Sequence, residues 1–126
     1  MKKIYIIEDE GDINNLYSLL FQREGIEIED IVTSGKVAVD NISQFDEAKI
    51  KDLVFLIDNR IPEKAGIEVA KQLIEMSAQL KDQIIIATAD DTLTRKEVQG
   101  LGIKYFLRKP FSLDDLLEMI EKICKE

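Results

Sequence analysis

Three acids stand side by side at Glu8, Asp9 and Glu10, directly behind the apolar run Ile4-Tyr5-Ile6-Ile7. Like charges about 4 Å apart repel by roughly 4 kcal/mol at an effective dielectric near 20. Such a cluster therefore needs either full solvation, as an ordinary strand end, or a counter-charge, as a cation site. Two later apolar runs also end on groups with chemistry: Leu53 to Ile57 on Asp58, and Gln83 to Ala87 on Thr88. A fifth run, Ile103 to Leu107, is followed closely by Lys109 and Pro110. Asp58 leads into Asn59, Arg60, Ile61 and Pro62, with Gly66 further on, and Thr88 leads into Ala89 and Asp90. Taken singly, each has a plain explanation: an aspartate behind a strand caps a helix, a threonine belongs in a strand, a lysine is solvated, a proline stops a strand. Taken together they deliver carboxylate, hydroxyl and amine to corresponding strand ends. The chain has no histidine, which removes Ser/His/Asp and Cys/His nucleophilic arrangements, imidazole zinc sites and any phosphohistidine of its own.

The elements that must position these groups are legible from periodicity. Five strand-like runs, Lys3 to Ile7, Glu27 to Thr33, Leu53 to Ile57, Gln83 to Thr88 and Ile103 to Leu107, alternate with helix-like stretches. The first, third and fourth are almost continuously apolar, the mark of strands covered on both faces of a parallel sheet. The second alternates in its first half, which suits a sheet edge. Ile13, Leu16 and Leu20 predict a first helix that Asp12 caps and Gly25 ends. A second helix is expected from Lys36 to Phe45, a third on Ile67, Ala70, Leu73, Ile74 and Ser77, and a weaker fourth on Leu93, Val98 and Leu101. Ser112 caps the last, whose buried face is Leu116, Leu117, Ile120 and Ile123. Ser43 to Asp52 reads as the loosest stretch. The order (βα)5, with short right-handed connections, gives an α/β, doubly wound, open parallel sheet with helices on both faces. In such sheets ligands sit outside the carboxyl ends of the strands.

Composition narrows the function. With 126 residues, 45% hydrophobic and 33% charged, the expectation is one soluble globular domain over residues 1–126. A formal charge of −8 opposes phosphate and so direct nucleic-acid binding. No stretch of about 18 apolar residues is available to span a membrane. The single cysteine, Cys124, excludes an intramolecular disulfide and fits a reducing, cytoplasmic setting.

On Glu8-Asp9, the segment Asp58 to Gly66 (D-N-R-I-P-E-K-A-G), Thr88-Ala89 and Lys109-Pro110, the sequence resembles the receiver domain of two-component response regulators over essentially its whole length. The resemblance implies a five-stranded sheet in the order 2-1-3-4-5, as in flavodoxin-like folds. It also implies a signalling switch and not an enzyme proper, although one that promotes its own phosphorylation and slow dephosphorylation. Asp58 would accept a phosphoryl group from a sensor histidine kinase or a histidine phosphotransfer protein, with Mg²⁺ (Mn²⁺ as a substitute) held by Asp9, Asp58, the backbone carbonyl of Arg60 and, through water, Glu8. Thr88 and Lys109 would contact the phosphoryl oxygens, and a cis bond before Pro110 would aim the lysine inward. Thr88 and Phe106 would form the switch, while Asn59, Arg60 and Asp90 would line the rim. An output domain or effector would read the region from Asp91 to Ile123, and the protein would be a monomer or a phosphorylation-linked homodimer. Lys64-Ala65 departs from the usual apolar-acidic pair before Gly66, and the segment Gly35 to Leu53 is longer than common in the family. Three alternatives are an unphosphorylated receiver-like interaction module, a haloacid-dehalogenase-like phosphatase, which wants a second aspartate where Arg60 stands, and a flavodoxin-like nucleotide binder, whose phosphate three acids would repel.

Overall fold

In the computed structural model, which describes residues 2–125, strands Lys3–Ile7 (β1), Ile28–Val32 (β2), Leu53–Ile57 (β3), Ile84–Thr88 (β4) and Tyr105–Arg108 (β5) form one sheet, ordered β2-β1-β3-β4-β5. Every neighbouring pair is parallel. The expected fold class and strand order are therefore the observed ones, with the alternating strand β2 at an edge. The continuous apolar runs are explained by two cores. Tyr5, Ile7, Phe55, Ile57, Ile84 and Ile86 point to one face, where they meet Ala38 and Ile42 of helix α2 (Gly35–Ile42), Val69, Ala70 and Leu73 of α4 (Gly66–Met76) and Val98 of α5 (Arg95–Gly100). Ile4, Ile6, Val54, Leu56, Ile85 and Ala87 point to the other. There they meet Tyr17, Leu20 and Phe21 of α1 (Gly11–Glu24) and Leu116, Ile120 and Ile123 of α6 (Leu113–Lys125).

Several local expectations are corrected. The α1 N-cap is Glu10, with no side-chain cap bond, and Asp12 lies in the first turn. Its inward face is Asn14, Tyr17, Leu20 and Phe21, while Leu16 is 46% and Leu19 66% exposed. Gly25 ends the helix as expected, at φ 68°, a left-handed conformation that glycine adopts without a Cβ penalty. The second helix stops at Ile42, and the stretch read as loosest contains a further short helix, α3 (Glu47–Lys51), capped by Asp46, whose side chain accepts from the Lys49 N–H at 2.8 Å. Ser77 lies beyond α4 as its C-cap, followed by a 3₁₀ segment, Ala78–Gln83.

Register decides what the sheet presents at its carboxyl edge. Ile7 pairs with Ile57, Ile57 with Ile86, and Thr88 with Arg108. Glu8 and Asp58, which follow, thus leave the sheet side by side, and Lys109 leaves it from β5, across β4 from Asp58.

Candidate functional site

The acid triad divides as it leaves β1. Glu8 turns inward and is buried, whereas Asp9 and Glu10 are exposed. Asn14 fixes the turn, its amide donating to the Glu8 carbonyl at 2.8 Å. Carboxylate oxygens of Glu8, Asp9 and Asp58 lie within 4.8 Å of one another; Glu10 is outside this group. Asp58 is 5% exposed. The counter-charge is Lys109, whose ammonium donates to Glu8 and lies 3.4 Å from Asp58 Oδ2. Burial pushes the Glu8 carboxyl up to about 6, with Lys109 pulling it down and Asp58 adding to the rise. Burial likewise raises the phenol of Tyr17, helped by the Glu8 and Asp58 charges.

Asp58 is held from behind. Gly66, the first residue of α4, lies against its main chain: a Cβ there would fall 2.1 Å from the Asp58 carbonyl oxygen. Asn59 accepts at this helix start, from the Gly66 N–H on its carbonyl at 3.0 Å and from the Ile67 N–H on its side chain at 2.9 Å. Lys64 is similarly confined, because a Cβ on Gly35 would sit 2.0 Å from its carbonyl. Glu63, a non-glycine residue with positive φ (70°), accepts from Ser34 Oγ at 2.6 Å.

Opposite Asp58 stands the turn after β4. Thr88 is fully buried, and its Oγ1 accepts from the Asp90 N–H at 3.1 Å. The Lys109 N–H donates to the Thr88 carbonyl at 2.9 Å, and the Lys109-Pro110 bond is cis. Asp90 takes three partners on its carboxylate: Asn59 at 2.8 Å, Thr92 through both hydroxyl (2.6 Å) and N–H (3.0 Å), and Arg60 at 3.5 Å. Hydrogen bonds from Thr92 and then Asn59 lower its carboxyl to about 2. The pairing of Arg60 with Asp90 is thus present, but Asn59 is the nearer partner. The Arg60 N–H faces Asp58 Oδ1 at 3.3 Å while its side chain is exposed. Phe106 is buried beneath the turn, at 4% exposure.

Besides Asn14, two further participants were not anticipated. Thr92 had a faint signal, since a hydroxyl two residues behind an aspartate is a common turn pattern. Arg108 had none: its guanidinium donates to the Asp90 carbonyl and, at 2.7 Å, to that of Leu93. Beside the site an apolar hollow of about 340 Å³ is lined by Ile13, Leu16, Tyr17, Ala89, Phe111 and Leu113, with Lys109 and Pro110 at its inner edge.

Comparison with known proteins bears on the family and the fold. Residues 4–121 match the family model described as the response regulator receiver domain. The chain is 22% identical to the chemotaxis protein CheY of Thermotoga maritima over 98% of both chains. It is 30% identical to sporulation initiation phosphotransferase F of Bacillus subtilis, covering 96% of this chain and 92% of that one. Among solved structures, the response regulator protein TrrA of Thermotoga maritima, crystallised with Mg²⁺ and BeF, superposes with a TM-score of 0.78 at 27% identity, over 98% of this chain and 99% of that one.

Proposed function

The chain belongs to the response regulator receiver family, and from that premise we propose that it is a phospho-acceptor switch of a two-component phosphorelay in which Asp58 takes the phosphoryl group. The observation that carries the reading is Asp58, a buried member of a three-carboxylate cluster, facing the Lys109 ammonium at the carboxyl edge of the sheet. Glu8, Asp9 and Asp58 form an all-oxygen donor set with one exposed member, which fits a hard cation that keeps part of its water shell. Glu8, Asp9, Asp58 and the Arg60 carbonyl would hold Mg²⁺, and the ion would supply positive charge to the phosphoryl oxygens. Mn²⁺ has the same oxygen preference.

The chain's own residues do the rest. An Asp58 oxygen attacks the phosphorus of a phosphohistidine; the P–O bond forms, the P–N bond breaks, and the bond pair returns to the ring nitrogen, so the imidazole leaves neutral with the proton already on its other nitrogen. In-line phosphoryl transfer calls chiefly for positioning and charge neutralisation, and Lys109 is placed for the second by its position directly after β5. Thr88 already uses its oxygen as an acceptor, so the hydroxyl proton is what it presents to the phosphoryl group. Asn59, Arg60 and Asp90 close the rim and restrict the water that would hydrolyse the acyl phosphate. The donor is a sensor kinase or a histidine phosphotransfer protein, seated on the apolar hollow beside Lys109. Thr88, Phe106 and the face built by α5, β5 and α6 carry the result to an output domain or effector protein.

The test is phosphorylation with acetyl phosphate and Mg²⁺, read by intact mass. A single phosphoryl group is expected on the wild type and none on Asp58→Asn; a label retained by that variant refutes the assignment. An interaction module that works unphosphorylated would show no label on either chain.

A further inference from the structure

We infer that Arg108 is the positioning residue that couples the phosphoryl site to helix α5. The inference rests on the phospho-acceptor reading above and names how that site is read out. Arg108 pairs directly with Thr88 across β4 and β5. Its guanidinium reaches forward and donates to two main-chain carbonyls of the turn between β4 and α5, those of Asp90 and Leu93, the second at 2.7 Å. The same group lies 5.0 Å from the centroid of the Phe106 ring, and Arg95, the first residue of α5, lies 5.2 Å from that centroid.

The fork geometry is what makes this a coupling. A guanidinium is planar and rigid, so its donors cannot follow two carbonyls that move independently. Charge-assisted bonds are also roughly twice as strong as neutral ones. Asp90 is tied to the reacting side of the molecule as well: its N–H donates to Thr88 Oγ1 at 3.1 Å and its carboxylate accepts from Asn59, next to Asp58, at 2.8 Å. A pull on Thr88 or Asn59 by a phosphoryl group therefore displaces Asp90. Through the fork Asp90 carries Leu93, and Leu93 stands two residues before Arg95. Phe106 is the floor of the device, an apolar ring on which both guanidinium groups rest.

If Arg108 only satisfied two carbonyls, its loss would lower stability and leave transmission intact. The test separates the two roles. Amide NMR spectra of the full chain are recorded with Mg²⁺ and with Mg²⁺ plus beryllofluoride for the wild type, Arg108→Met and Arg108→Lys. The first variant keeps an apolar stem over Phe106, and the second keeps stem and charge without the fork. All three chains are expected to shift at Asn59 and Lys109, but the shifts across Arg95–Gly100 should fall by about twofold or more in both variants. Undiminished α5 shifts in a folded variant overturn the inference, as does a wild type that responds at the site but not across α5. A wild type that shows no response at all overturns the phospho-acceptor reading itself. Should Arg108→Met fail to fold, Arg108→Lys carries the test.

Discussion

Glu8 is a carboxyl held out of water between an ammonium and a second carboxylate, and its titration is a direct probe of the site. Burial is the main cause that brings it to about 6 from an ordinary value of 4.5. Between those values the folded chain binds more protons than the unfolded one, so this contribution to stability is fully present below 4.5 and is lost as pH rises through 6. A divalent cation held as proposed would compete for the same oxygens. Mg²⁺ affinity measured by calorimetry should therefore weaken on acidification below pH 6, by up to about tenfold per unit, and the urea midpoint without Mg²⁺ should rise from pH 7 to pH 5. An affinity that stays constant from pH 7 to pH 5 would remove Glu8 from the ion's surroundings. Asp90 has the opposite sign: lowered to about 2 from 3.8, it stabilises the fold above its ordinary value and loses that effect as pH falls through 2. At this scale the sequence was readable wherever an apolar run broke on a reactive group, which is how Asp58 and Thr88 stood out. Arg108 was not readable, because its carbonyl partners lie 18 and 15 residues earlier and a basic residue at a strand end is ordinarily solvated.

Helix α4 begins so close to Asp58 that its first residue has no room for a side chain. Gly66→Ala must push either the helix or the Asp58 main chain aside. The expected cost is about 1–3 kcal/mol in urea unfolding, accompanied by slower labelling of Asp58 with acetyl phosphate; unchanged stability and labelling would mean that the close approach is relaxed in solution. The same element shows why boundaries were less legible than existence. Ser77 continues the apolar period of α4 on paper, yet the chain turns there into a 3₁₀ segment. Helix α3 has five residues, too few for periodicity to register. Its side chain Ile50 nevertheless packs on the core, and the Gln83 amide donates to the Ile50 carbonyl at 3.0 Å. The pattern Ile13, Leu16, Leu20 selected a real helix but rotated its face, since Asn14 takes an inward place to serve the Glu8 carbonyl and Leu16 is left outside. A polar residue recruited by the site is what the apolar period could not report.

Across the whole molecule, exposed Leu16 and Leu19 on α1 sit on the side of the sheet that carries α6 and the hollow next to Lys109. Substituting both by serine should lower stability by no more than about 1 kcal/mol, roughly 0.5 for each exposed helix position. Labelling by acetyl phosphate should persist while transfer from a phosphohistidine donor protein slows at least several-fold; equal losses from both donors would exclude a docking role. The topology itself was open to reading because crossover handedness and short connections leave few ways to wind alternating strands and helices. Which surface a partner covers has no such rule. One geometric fact has a bearing on biosynthesis: the Lys109 ammonium meets a carboxylate 101 positions earlier and another 51 positions earlier. A nascent chain that still shelters β5 inside the ribosome has Asp58 but not the cation that faces it, so under the proposed function acceptance of phosphate waits until that strand has joined the sheet.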